Sequence, residues 1–239
     1  MDGIIVLDKP AGISSAKALY KVRKLVGQKK SGHAGTLDPA ATGVLVLCLG
    51  KATKLVEQIM GLPKAYRAAA RLDVTSESFD SDRPLIPVDC PSVPDAASVA
   101  AAMQTFEGDI EQMPPAVSAL KIGGRRAYRM KIDVAEAQLR PRAARIYWLK
   151  LHAYDWPTLD FEMACGRGTY VRSVIRDWGA KLSAGGCLTA LRRTQVGPFH
   201  IDDSWTLERI ETQPQACLIP LERAAEMIAS EREPPLRPC

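Results

Sequence analysis

The chain has 239 residues, 46% of them hydrophobic and 25% charged, which is the balance of an ordinary folded protein and too apolar for a disordered one. Its formal net charge of +5 leans toward an anionic partner without by itself marking a nucleic-acid domain. Its six cysteines form no C-x-x-C pair and its three histidines, His33, His152 and His200, are scattered, a pattern that argues against a zinc site, a disulfide scaffold or a His-rich metal centre.

The first apolar run, Ile4 to Leu7, is too short for a signal-peptide core and reads as a buried strand. The longest, Val44 to Leu49, falls far below the roughly 20 residues of a membrane helix. A cytoplasmic protein with reduced thiols and no membrane contact is expected. After Leu7, Asp8-Lys9-Pro10-Ala11-Gly12 forms a loop, and Ser14-Ser15 offers an N-cap for a helix. In that helix Ala18, Leu19, Val22 and Leu25 recur at helical spacing, while Lys17, Lys21, Arg23 and Lys24 give it a basic outer side.

Ser31 to Pro39 is too rich in glycine and proline for regular structure and leads into an apolar strand, Gly43 to Leu49. Helix is predicted over Lys51 to Met60 and strand over Ala65 to Val74. Thr75 to Pro94 reads as irregular, and Asp95 to Phe106 as the next helix. Gly123-Gly124-Arg125-Arg126, Arg129, Lys131, Arg140, Arg142 and Arg145 place many cations in an expected mobile insertion. Alternation over Ile146 to Ala153 and Leu159 to Ala164, joined at Asp155-Trp156-Pro157, predicts a hairpin. An amphipathic helix, Thr169 to Leu182, and a strand, Leu188 to Val196, follow. Strands and helices interleaved with a hairpin favour an α+β fold with a mixed, largely antiparallel central sheet flanked by helices.

Nucleotide cofactors are not indicated. Gly43 to Lys51 has the wrong spacing for a phosphate loop, and no G-x-G-x-x-G opens a helix after a strand.

The informative stretch is Gly32-His33-Ala34-Gly35-Thr36-Leu37-Asp38-Pro39-Ala40-Ala41-Thr42-Gly43-Val44-Leu45. It resembles the nucleophile motif of the bacterial tRNA pseudouridine-55 synthases, the TruB family. Further segments agree in order along the chain: Leu7 to Ser15, Lys64-Ala65-Tyr66, Met113 to Lys121, Cys165 to Ser173, and Leu191-Arg192-Arg193-Thr194. The resemblance implies a pseudouridine synthase fold and a cofactor-free, metal-free isomerisation of uridine 55 in the T-loop. It extends to about Phe199.

Isomerising uridine means cleaving the N1–ribose bond, turning the uracil and rejoining it through C5, with the base out of its stack. A carboxylate can serve by adding to C1′ or to C6, or by holding developing charge on a glycal route. By resemblance Asp38 is that carboxylate, although a lone Asp-Pro would ordinarily be only a turn. Arg172 is carried over as its partner, keeping it ionised and aimed. Tyr66 is carried over as the ring that stacks on the uracil, and Tyr170 as the residue beneath the base that can remove the C5 proton. His33 is expected to fill the space the base leaves, and Leu191 to close an apolar wall. Without the resemblance each of these would read as core or surface. Lys9, Lys121, Arg192, Arg193 and the basic helix are candidates for phosphate contacts to the T-arm.

Three departures stand out. After Leu72 the family pattern of glycine and Thr-Asp-Thr-x-Asp is replaced by Asp73-Val74-Thr75-Ser76-Glu77-Ser78-Phe79-Asp80, and Arg129-Met130-Lys131 replaces an expected Ala-Arg after Tyr128. The stretch from His200 to Cys239 is too short for the small RNA-binding domain of the PUA type that many members carry. The expected organisation is therefore a catalytic domain over 1–199, with an RNA-gripping insertion near 122–145, and a short tail over 200–239. A monomer that needs no protein partner is expected. A catalytically inert RNA-binding or tRNA-folding protein on the same scaffold is the rival reading, and the presence of Asp38, Tyr66, Tyr170 and Arg172 together argues against it.

Overall fold

The structure is a computed structural model that describes residues 2–115, 121–122, 125–126 and 140–231, with only the backbone described at 121–122 and 125–126. In chain order the elements are β1 (Gly3–Lys9), α1 (Ser15–Leu25), β2 (Ser31–His33), β3 (Thr42–Leu49), a 3-10 helix (Gly50–Leu55), α2 (Val56–Gly61), β4 (Lys64–Arg71), β5 (Val74–Thr75) and β6 (Ile86–Pro87). Then come α3 (Ala96–Gln104), β7 (Gly108–Gln112), β8 (Lys121–Ile122), β9 (Arg125–Arg126), β10 (Arg142–Asp155), β11 (Thr158–Cys165) and α4 (Val171–Lys181). The last are β12 (Cys187–Val196), β13 (Phe199–His200), α5 (Leu207–Thr212), β14 (Ile219–Pro220) and α6 (Leu221–Ser230). The fold is α+β with mostly antiparallel strand pairing, as the sequence predicts. No helix among the described residues is long and apolar enough to cross a membrane.

The chain divides into two compact units, Met1–Arg67 with Leu191–Cys239, and Ala68–Ala190. In the first, β1 pairs antiparallel with β14 and with β3, β2 pairs antiparallel with β3, and the Arg192-Arg193 stretch of β12 runs parallel to Thr42-Gly43. Ile4 and Val6 join Val44, Val46, Phe199 and Leu221 in one apolar cluster. Ile5 and Leu7, on the opposite face by the two-residue period, are just as fully buried, so β1 is covered on both sides and its unbroken apolar run is explained. The described residues beyond Phe199 are integrated here: β14 pairs with β1, and Ala224 of α6 joins the same cluster.

In the second unit, β7, β10 and β11 form an antiparallel meander, and the predicted hairpin between β10 and β11 pairs from Asp155↔Thr158 to Ala153↔Asp160 before its register shifts between Leu151 and Ala153 and again between Ile146 and Trp148. Trp178 of α4 anchors its core. The indole is fully buried, meets Phe161 edge-on at 5.5 Å between ring centroids, and donates from Nε1 to the Val99 carbonyl of α3 at 3.1 Å. A buried indole N–H without such a partner would carry a desolvation cost, so this bond fixes α3 against α4 as well as filling space.

Several expectations shift at their edges. The helix predicted over Lys51 to Met60 is two pieces, a 3-10 turn and the short α2. The irregular Thr75 to Pro94 stretch contains one small rung set, Val74↔Pro87 and Thr75↔Ile86. Ser14 caps α1 by accepting from the Lys17 N–H at 3.2 Å, but Leu25, read as part of the apolar stripe, is 36% exposed because the helix ends there. Most of the insertion near 122–145 lies outside the described residues.

Candidate active site

The loop that carries Asp38 is the continuation of β2. His33 pairs with Leu47 of β3, the Ala34 N–H donates to the Val46 carbonyl at 2.9 Å, and the chain then leaves the sheet at Gly35, whose φ of +98° is a backbone state that side chains disfavour. The segment from Gly35 to Ala41 has no ladder to satisfy its polar groups. Buried side chains from elsewhere in the first unit do so instead.

Ser15, at the start of α1 and 1% exposed, donates from Oγ to the Leu37 carbonyl at 2.9 Å and accepts the Leu37 N–H at 2.8 Å. On the other side of Asp38, the Pro39 carbonyl accepts from the Gly12 N–H at 2.9 Å and from Lys9 Nζ at 3.3 Å. The Asp38 carbonyl closes a turn by accepting from the Ala41 N–H at 3.2 Å. Both neighbours of Asp38 are thus tied down while Asp38 itself stays partly exposed. The two motifs Leu7 to Ser15 and Gly32 to Leu45 are therefore two halves of one device, which neither reveals alone.

Lys9 requires a correction. It was expected to meet phosphate, but it is 0% exposed and its ammonium donates to the carbonyls of Pro10 and Ile13, each at 2.8 Å, as well as to Pro39. Burial lowers its pKa to about 8; the Asp38 carboxylate opposes that shift, and the Arg193 guanidinium adds to it. Lys9 is thus a buried brace whose charge acts on Asp38. Arg193 is corrected likewise. At 1% exposure it donates from Nε to the Val44 carbonyl at 2.7 Å and from NH2 to the Gly35 carbonyl at 3.0 Å, so it fastens the base of the loop and is not available to RNA. Arg192 is engaged by Asp8 through paired hydrogen bonds of 3.1 and 2.8 Å. The stem of Lys64 passes the same loop: a Cβ built on Gly35 would lie 3.8 Å from its Cε, and its Nζ donates to the carbonyls of Met60 and Leu62.

Tyr66 lies near the start of β4 and is 7% exposed, Leu191 lies partly exposed on β12, and His33 is partly exposed at the end of β2. All three belong to the unit that holds Asp38. Tyr170 and Arg172 belong to the other. Tyr170 is the N-cap residue of α4, and Arg172 sits in its first turn, 6% exposed, with NH1 donating to the Ser78 carbonyl at 3.1 Å. Ser78 lies in the stretch that departs from the family pattern. There Ser76 Oγ both donates to the Asp80 carbonyl at 2.8 Å and accepts the Asp80 N–H at 3.0 Å, a tight buried turn that presents the Ser78 carbonyl. The side chain of Lys121 lies outside the described residues. Among the described residues no group of three or more His, Cys, Asp or Glu side chains is arranged to hold a metal ion.

The family model described as TruB family pseudouridylate synthase (N terminal domain) matches residues 23–171, and that of the tRNA pseudouridylate synthase B C-terminal domain matches residues 172–226. The chain belongs to the TruB family. A tRNA pseudouridine synthase B of Syntrophotalea carbinolica is 42% identical over 88% of this chain and 69% of that protein. One from Bordetella avium is 38% identical over 92% of each. Among solved structures, a Cbf5-Nop10-Gar1 complex includes a chain that superposes with a TM-score of 0.72 at 28% identity, covering 94% of this chain and 62% of that one, so this member of the TruB family spans less than two thirds of that neighbour's length.

Sequence reading missed Ser15 and Arg193 as supports of the Asp38 loop, and Gln112, whose side-chain amide exchanges hydrogen bonds of 2.8 and 3.1 Å with the backbone of Tyr170. Ser15 and Arg193 lay inside the family motifs, but as a helix cap and a phosphate contact. Gln112 directly precedes the Met113-Pro114-Pro115 motif and carried no signal of its own.

Proposed function

We propose that this chain isomerises a uridine of tRNA to pseudouridine, at position 55 of the T-loop, with Asp38 as the nucleophile acting on a flipped-out base. The observation that carries the reading is the partly exposed Asp38 between two neighbours whose backbones are held by buried Ser15 and Lys9. A loop fastened at such cost in buried polar groups is suited to aiming one carboxylate, since preorganised geometry lowers the barrier by removing motion that would have to be frozen in the transition state.

In this reading Arg172 pairs with the carboxylate, Tyr66 stacks on the uracil, and Tyr170 lies beneath the base and takes the C5 proton. His33 fills the gap left in the RNA, Leu191 walls the pocket, and Lys121 with the basic side of α1 meets phosphates. The reaction balances without an oxidant or reductant: the N1–C1′ bond breaks, the C5–C1′ bond forms, C5 loses a proton and N1 gains one. A cofactor-free enzyme working in the cytoplasm as a monomer completes the proposal. Support comes from the named tRNA pseudouridine synthase B relatives.

The deciding experiment incubates the protein with unmodified tRNA and maps pseudouridine at single-nucleotide resolution, with Asp38→Asn in parallel. Product at position 55 that vanishes in the variant is expected, and product that persists with Asp38→Asn overturns the assignment. A minimal T-arm hairpin is expected to be modified nearly as well as the whole tRNA; a large deficit on the hairpin would show that contacts outside the T-arm matter.

A further inference from the structure

We propose that Gln112 is a positioning residue for the reaction, a buried side-chain amide that sets the backbone of Tyr170 and thereby the direction in which its side chain leaves the main chain. The inference rests on the reading of Tyr170 as the residue beneath the base, and adds a residue which that reading does not contain.

Gln112 ends β7 and is 3% exposed. Its Oε1 accepts the Tyr170 N–H at 2.8 Å, and its Nε2 donates to the Tyr170 carbonyl at 3.1 Å. The amide orientation is fixed by chemistry, because the backbone N–H can only donate and the carbonyl can only accept. Tyr170 has φ −102° and ψ 111°, an extended conformation, so the carboxamide mimics one rung of a β-ladder against a single residue. The next residue reinforces the junction: the Met113 carbonyl accepts from Ser173 Oγ at 2.9 Å and from Arg176 NH2 at 3.1 Å.

The placement is unusual for a helix start. N-caps favour Ser, Thr, Asp or Asn, whose side chains satisfy the exposed N–H groups, and tyrosine does this poorly. Here the N-cap is Tyr170 with no side-chain cap bond, its carbonyl also accepts the Ser173 and Val174 N–H groups at 3.1 Å, and its own N–H is met by a residue 58 positions away in sequence. A phenol at this position is therefore held through its main chain by a distant side chain. With both backbone groups of Tyr170 bound, its φ and ψ are fixed, and so is the direction of its Cα–Cβ bond. The same clamp fixes the phase of α4, on which Arg172 follows two residues later.

Two variants of the full chain test the role. Gln112→Met removes both bonds at similar volume. Gln112→Glu keeps the acceptor, but as a carboxylate it faces the Tyr170 carbonyl without a proton to give; once protonated, its O–H restores the rung, and burial raises the pH at which this happens. Single-turnover pseudouridine formation on unmodified tRNA is expected to slow at least about tenfold for Gln112→Met at every pH. The Gln112→Glu rate is expected to recover as pH falls, a rise absent from the parent protein. The tRNA Kd should stay within about twofold, and circular dichroism should show both proteins folded at the assay temperature. Parent-like rates for both variants across the pH range overturn the inference, as does a loss of tRNA binding that accounts for the whole rate loss. Tyr170→Phe is assayed alongside. A full rate for that variant overturns the reading of Tyr170 itself, whereas its inactivity beside parent-like Gln112 variants overturns only the positioning role.

Discussion

The hydroxyl of Ser15 and the backbone of Leu37 exchange two hydrogen bonds, of 2.9 and 2.8 Å, across 22 residues of sequence. Both groups are buried, so this one oxygen replaces the ladder partner that Leu37 gave up when the chain left the sheet. Ser15→Ala is expected to leave an N–H and a carbonyl unsatisfied and to lower unfolding free energy by about 1–3 kcal/mol. Denaturant melts measure this directly, and the turnover rate should fall further than tRNA affinity. Unchanged stability would mean that water replaces the hydroxyl.

Lys9 predicts a pH dependence whose sign follows from burial. Its folded pKa lies at about 8, below the ordinary 10.5, so between these values the unfolded chain holds a proton that the folded chain has released. The parent protein therefore gains stability from this group as pH rises through that window, and below it bears the full cost of the buried charge. Compared with Lys9→Met, its unfolding free energy should improve between about pH 8 and about pH 10.5. A difference that stays flat over the range would show that the ammonium is not desolvated.

Gly43 is expected to tolerate no side chain. Its φ is +97°, and a Cβ there would come 2.1 Å from the Arg193 carbonyl, which belongs to the backbone of β12 and has little room to move. Gly43→Ala should force β3 and β12 apart at the root of the Asp38 loop and sharply lower the thermal midpoint, with activity lost even where folded protein is recovered. A melting curve matching the parent would contradict this.

Arg193→Lys keeps the charge but not the planar fork, so a single ammonium cannot serve the Val44 and Gly35 carbonyls in the same geometry. Slower turnover with nearly unchanged tRNA affinity is the expected signature, read from single-turnover rates against filter-binding titrations. A weakened Kd at an unchanged rate would instead return Arg193 to the phosphate-binding role.

The exposed lysines of α1 carry the remaining electrostatic expectation. Lys17→Gln with Lys24→Gln should weaken tRNA binding and reduce the slope of log affinity against log salt by about one for each phosphate no longer neutralised. An unaltered slope would place the RNA elsewhere.

By itself the sequence determined the buried strand β1, the Ser14 cap of α1, the β10–β11 hairpin and the family motifs around Asp38, because these depend on neighbours within a few residues or on a whole motif read in order. It could not determine what Lys9, Ser15, Arg193 and Gln112 do. Each is a polar residue whose partner is a backbone group distant in the chain, such as Leu37 for Ser15 or Tyr170 for Gln112, and a backbone group leaves no trace in the side-chain alphabet. Lys9 and Arg193 therefore read as solvent-facing cations for RNA. Only the tertiary structure, which buries them against backbone carbonyls that need a donor away from water, decided that they hold the loop instead.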